Sequence, residues 1–164
     1  MTVKPKPRWK PAAGKKWRDA LDRPHANYGK LVSIPPMHRK PGGPRSLLIP
    51  SPRAVDARLR KVRNGSLLTL GRLRADLARG TAADLACPMT TGIFLRIVAE
   101  AAEESRREGA AHITPWWRIV RDDGSLFEKL PGGAAGHARR LKAEGHTVAR
   151  GRVALPPRAG AARA

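Results

Sequence analysis

Only 41 apolar side chains larger than alanine are spread over the 164 residues of this chain, because 26 of its hydrophobic residues are alanine. That supply fills a core for roughly 90–110 residues and not for the whole length. The 15 prolines and 16 glycines add irregular backbone. Length argues for one domain, or for one small domain with tails. Against the modest core stands a large charge: 33 Lys+Arg face 13 Asp+Glu, a formal net charge of +20. Such an excess specifies no fold. It does specify a partner class, a polyanion: nucleic acid or an anionic membrane surface.

Several classes are excluded on simple grounds. The single cysteine, Cys87, cannot build an internal disulfide framework or a cysteine-rich zinc site, so a reducing cytoplasm is the expected home. The apolar runs at residues 47–49 and 113–120 fall far short of the ~20 residues a membrane helix needs, so no membrane partner is expected. The basic N-terminus has no apolar stretch behind it and does not read as a secretory signal.

The charge is unevenly placed. Residues 1–45 hold 12 basic residues against Asp19 and Asp22, while residues 149–164 hold four arginines and no acid. The segment KPKPRWKPAAGKKWR lacks an amphipathic period and reads as a disordered basic arm, with room for one helical turn from Trp17 to Leu21. The tail GRVALPPRAGAARA reads the same way. Arms of this kind favour nucleic-acid association by releasing counterions, without reading sequence. The expected organisation is therefore an arm over 1–45, a folded domain over 46–148 and a tail over 149–164.

Periodicity begins at Ser51. Ala54, Val55, Leu59 and Val62 predict a helix over 53–62, and Asn64-Gly65 predicts a turn. Leu70, Leu73 and Leu77 predict a short amphipathic helix with Thr69 as its N-cap. Thr81 to Asp84 fits a weak capping pattern for a further turn. A longer helix is expected over 90–107, with Ile93, Phe94, Ile97, Val98 and Ala101 on its buried stripe. Two helices joined by a turn on a basic chain form the outline of a helix-turn-helix. A turn at Asp122-Asp123-Gly124, the pair Gly132-Gly133, a helix over 134–143 and a Gly145 C-cap complete the reading. The expected fold class is mainly α, a winged-helix-like or helix-turn-helix DNA-binding domain with disordered basic arms.

The block Pro115-Trp116-Trp117-Arg118-Ile119-Val120, then Gly124, Gly132-Gly133 and Glu144-Gly145-His146, resembles the DNA-binding domain of the alkylguanine-DNA alkyltransferase family. That family carries Pro-Cys-His-Arg-Val-Val, a glycine turn, Gly-Gly, a helix and Glu-Gly. Upstream, Val62-Arg63-Asn64-Gly65 and Thr69-Leu70-Gly71 resemble the family's Ile-Pro-x-Gly and Thr-Tyr-Gly. The likeness covers about residues 53–148. It implies base flipping and minor-groove binding by the helix over 90–107, where Thr90, Thr91 and Gly92 permit close backbone approach.

The departures from the family pattern carry most of the functional argument. Trp116 stands where the family has its nucleophilic cysteine, and Trp117 where it has the activating histidine. An indole offers neither a thiolate nor a titratable base. Glu144, which matches the supporting carboxylate, is left with nothing to polarise, so alkyl transfer is not expected and no catalytic residue is assigned. The alkyltransferase-like branch also places Trp at the cysteine position, and it implies recognition of alkylated guanine without repair. Leu70 replaces the family's phosphate-rotating tyrosine. The family's stack-filling arginine falls near Thr91 or Gly92, which leaves Arg96 as the nearest guanidinium.

Each candidate residue also has a structural reading. Trp116 and Trp117 either stack on an extruded base, worth roughly 1–3 kcal/mol per base, or fill the core. Arg118 either holds its turn or touches DNA. Gly132-Gly133 supplies a tight loop beside the base pocket, and Thr69 is a cap, a phosphate ligand or both. Cys87 reads as a small buried or partly buried thiol. The expected function is non-enzymatic, metal-free and cofactor-free: binding of double-stranded DNA, with alkylated or flipped guanine as target and repair proteins as further partners. The expected form is a cytoplasmic, nucleoid-associated monomer. The alternative is a general nucleic-acid binder that keeps the fold and has lost the pocket. An enzyme with other chemistry finds no paired acid and base, and His137 to His146 fits no common metal motif.

Overall fold

The computed structural model describes residues 10–157. The helices are α1 (Trp17–Asp22), α2 (Pro52–Arg60), α3 (Leu70–Ala78), α4 (Pro88–Arg107) and α5 (Gly133–Ala143). Among them lie short strands: β1 (Leu31–Ser33), β2 (Ser46–Leu48), β3 (Leu68–Thr69), β4 (Leu85–Ala86), β5 (Ile119–Val120), β6 (Val148–Ala149) and β7 (Arg152–Val153). The architecture is α/β. The mainly-α expectation accounts for α2 to α5 but leaves out three small sheets. Strands of two or three residues are too short to leave a period in the sequence.

Local chemistry explains the helix starts. Ser51 caps α2, its hydroxyl accepting from Ala54 N at 3.1 Å, and Pro52 opens the first turn. Thr69 caps α3 by accepting from Arg72 N at 3.3 Å. Helix α5 ends in Gly145 at φ +88°, where His146 N donates to Leu141 O and Gly145 N to Lys142 O, a Schellman closure.

Helix α4 runs through the core. Leu95, Ile97, Val98, Ala99, Ala101 and Ala102 pack there against Val55, Leu59, Leu73, Trp116 and Ile119. The buried stripe differs from the expected one: Ile93 is 42% exposed, and the first turns bury Thr91 and Leu95 instead. The α4 face that carries Ile93 is left uncovered beside α3. A second small cluster joins Val120, Leu126, Leu141 and Val153. Parallel pairing of β3 with β5, Leu68 opposite Ile119 and Thr69 opposite Val120, brings the start of α3 beside the 116–120 block.

Three expectations are corrected. First, the segment before residue 46 is not a featureless arm over its described part. The Glu104 carboxylate accepts from Trp17 N (3.2 Å) and Arg18 N (3.1 Å) and so anchors the start of α1 to α4. Leu21 is buried, Tyr28 meets Phe94 edge-on at 5.5 Å, and β1 pairs antiparallel with β2 across the boundary drawn at 45. These contacts are long-range, so local composition does not reveal them. Second, the described part of the tail forms the β6–β7 hairpin, with Arg150 (φ +51°) and Gly151 (φ +71°) making a two-residue turn. Val153 anchors it in the core at 4% exposure. The ends of both expected arms, residues 1–9 and 158–164, lie outside the described residues. Third, Asp84 caps no helical turn. Its carboxylate accepts from Arg45 N (2.7 Å) and Ser46 N (3.1 Å), which helps set β4 parallel to β2.

Among the described residues, no helix is long and apolar enough to cross a membrane.

Candidate functional site

The 116–118 turn is a fully bonded structural node. Trp116 is 1% exposed, and its indole N–H donates to Glu103 Oε1 at 3.1 Å. Trp117 stands edge-on to it, with ring centroids 6.0 Å apart, and donates to Glu144 Oε1 at 2.8 Å. Arg118 grips the same carboxylate through Nη2 at 2.7 Å and Nε at 3.0 Å, and its Nη1 donates to Val62 O. Gly65 N adds a longer bond to Glu144 Oε2. One carboxylate thus ties the end of α5 to the 116–118 turn and to the 62–65 loop. Burial pushes Glu144 upward, but the bonds from Arg118 and Trp117 outweigh it and hold the carboxyl below its ordinary range.

His137 lies fully buried behind the tryptophans. Phe127 N donates to its Nδ1 at 3.3 Å, so the ring proton sits on Nε2 and donates to Trp117 O at 2.8 Å. Burial lowers its pKa and keeps the ring neutral. Arg140 covers Trp117, its guanidinium carbon 4.7 Å from the ring centroid. Both tryptophans are therefore committed to the frame, and neither offers a free ring face for a base. Of the two readings for this pair, the structure favours the core.

A cleft of about 430 Å³ does open beside the edge of Trp116, between α4 and α5. Four arginines line it, Arg106, Arg107, Arg139 and Arg140, together with Glu103, Trp116, Pro131 and the small residues Gly132, Gly136 and Ala143. Gly132 (φ +76°) lines its lip and leads into Gly133 (φ +64°) at the start of α5. A Cβ on Gly132 would also approach Gly136 Cα to 3.1 Å.

Three of the residues expected to face DNA fall on a different surface. Leu70, Gly92 and Arg96 converge on a second cleft of about 380 Å³, between the start of α3, the first half of α4 and the 121–130 loop. Trp17, Met89, Ile93, Phe127 and Leu130 give it an apolar lining; Arg96, Arg121 and Lys129 give it a cationic one, and no carboxylate among the described residues lines it. Arg96 lies over the Trp17 ring at 5.3 Å. Met89 is 70% exposed and projects from the first turn of α4. Gly92 faces open space, so backbone can be approached closely there.

The remaining candidates have structural duties. Thr69 is the α3 cap already described. Gly71 N donates to Asp122 Oδ1 at 2.8 Å, and a Cβ at Gly71 would collide with that carboxylate at 2.7 Å. An aspartate of the chain itself thus occupies the start of α3, where an anion is expected. Thr90 donates to Cys87 O at 3.4 Å, while Thr91 is fully buried with its hydroxyl unpartnered. Cys87 is half-buried at the α4 N-cap and lines neither cleft.

Sequence reasoning missed Trp17, Arg121, Phe127 and Lys129 at the apolar cleft, and Glu103 with its arginines at the other. The doubled pairs Arg106-Arg107 and Arg139-Arg140, each late in an expected helix, were the available signal for the second group. Nothing local signals the first, because the 10–45 segment and the 121–130 loop meet only in three dimensions. Comparison with protein-family models, curated proteins and solved structures returns no match to this chain.

Proposed function

We propose that this chain is a non-enzymatic DNA-binding protein resembling the alkyltransferase-like branch, and that it takes an extruded purine into the α3–α4 cleft. One observation carries the reading: Leu70, Gly92 and Arg96, separately expected at a DNA surface, line one apolar cleft with a cationic rim and no acid. Apolar walls accept a base face, and the cations hold the flanking phosphates. Exposed Met89 and Ile93 supply apolar side chains of the kind that wedge between base steps. The accompanying fold reading is a winged helix-turn-helix, with α3 and α4 as the helix pair and the β6–β7 hairpin as the wing. Alkylated guanine is the expected target, repair proteins the expected recipients of the complex, and a nucleoid-associated cytoplasmic monomer the expected form.

The second reading is general nucleic-acid binding without base recognition. It is favoured by the burial of Trp116 and the engagement of Trp117, which remove the two rings a base pocket at that position would use. Titrating the full chain with plain and alkylated-guanine duplex at moderate salt separates the two. Tighter binding of the alkylated duplex supports base recognition. Equal affinity supports the second reading, and no binding to either defeats both.

A further inference from the structure

We infer that the arginine-lined cleft between α4 and α5 is a second anion site, one that takes closely spaced or terminal phosphate groups. It lies about 20 Å along α4 from the apolar cleft and shares no lining residue with it. Four guanidinium groups, Arg106, Arg107, Arg139 and Arg140, converge there on about 430 Å³, a volume within the usual span of small-molecule sites, roughly 300–1,000 Å³.

The charge is not cancelled from within. Among the described residues Glu103 is the only carboxylate in the lining. It is already spent on the Trp116 indole, on Arg106 at 2.6 Å and on Arg140. Arg139 makes no ion pair among the described residues, and its Nη2 lies 3.9 Å from where a Gly136 Cβ would stand. Arg107 likewise makes no ion pair among the described residues, and Glu100 lies two turns back along α4. Two guanidinium groups thus remain available on opposite walls.

The other two are preorganised. Arg140 is braced between Glu103 and the Trp117 ring, and Arg106 is held by Glu103. Little side-chain freedom remains to be lost when an anion arrives. The first turn of α5 also lines the cleft through Gly132 and Gly136, and its N-cap Gly132 has no side chain to cap it. Planar guanidinium forks on two walls fit phosphate oxygens in bidentate fashion, which is the geometry phosphate recognition uses. The same chemistry is presented by a free polyphosphate and by the phosphorylated end of a nucleic-acid strand.

The test uses the full chain and pyrophosphate, followed by isothermal titration calorimetry at physiological salt. Saturable binding is expected, weakened about tenfold or more by Arg107→Gln with Arg139→Gln. Both residues are outside the Glu103 network, so the fold persists. The control variant, Lys40→Gln with Lys61→Gln, removes the same charge from exposed residues outside both clefts and should leave pyrophosphate binding unchanged. A second arm compares blunt duplexes whose strand ends carry phosphate or hydroxyl. Preference for the phosphorylated end identifies a nucleic-acid terminus as the source, and no preference alongside pyrophosphate binding identifies a free polyphosphate. Absence of saturable pyrophosphate binding, or equal binding by the Arg107/Arg139 variant, overturns the proposal. Either result leaves the reading of the apolar cleft untouched.

Discussion

The tryptophan node and the α3–α4 cleft face each other as opposites. Around Trp116 and Trp117, the indole N–H groups and the two neighbouring carboxylates are bonded, and three arginines close the network. Around Leu70 and Gly92 the surface is apolar, open and free of carboxylates, with Met89 and Ile93 exposed. Saturated polar networks rigidify a fold and bind little else. Unfilled apolar surface with a cationic rim is what a planar, anionic-backboned ligand selects. The 116–118 and Glu144 part of the resemblance thus holds the frame, while Leu70, Gly92 and Arg96 lie on the open cleft.

The largest expected effect breaks the node. Glu144→Ala leaves the largely buried Arg118 without its carboxylate and frees the Trp117 indole. Unpairing a buried ion pair costs about 3–5 kcal/mol, read as a lower denaturant midpoint. Duplex affinity of the fraction that remains folded should hardly change. The next effect reverses the contrast. Arg121→Glu with Lys129→Glu on the cleft rim should weaken duplex binding about a hundredfold in an anisotropy titration and flatten its salt dependence, while the melting temperature stays put.

How far the sequence foretold this contrast depends on whether the signal was local. Helices α2, α3 and α5 were legible from apolar period, and the Thr69 cap and the Gly145 closure from single residues. The base-pocket role for Trp116 and Trp117 was legible only as one of two readings, because an indole serves a core and a binding site equally well. The apolar cleft was half visible. Leu70, Gly92 and Arg96 stood out by resemblance, but Trp17 and Phe127 reach the cleft through folding of segments that carry no period. The order of residues 10–45 was hidden for the same reason, since it depends on Glu104 and on pairing with β2.

Smaller effects sharpen the comparison through pH. His137 is kept neutral by burial, so its folded pKa lies below the ordinary 6.5. The unfolded chain then binds the proton first, and stability should decline as pH falls through that range. His137→Gln should remove this part of the slope in melts taken from pH 7 to pH 5. Glu144 acts in the same direction at lower pH. Its folded pKa is depressed, so its contribution is present above the ordinary value of 4.5 and fades as pH falls through the lower, folded one. Glu144→Gln should flatten the acid limb below that point. Among the described residues no carboxylate or histidine lines the apolar cleft, so binding should vary less than stability over the same interval.

The smallest effect expected is on the hairpin. Gly151→Ala forces a side chain into positive φ and should cost about 1 kcal/mol, without changing duplex affinity if the α3–α4 face carries the contacts.

The most direct measurement places a fluorescent purine analogue in a duplex and follows its emission as the full chain is added, since emission rises when a base leaves the stack. The wild-type chain should raise it several-fold, Gly92→Trp should abolish the rise by filling the α3–α4 cleft, and Trp117→Phe should keep it. A rise that survives Gly92→Trp and vanishes in Trp117→Phe would return the base to the tryptophan node and contradict the account.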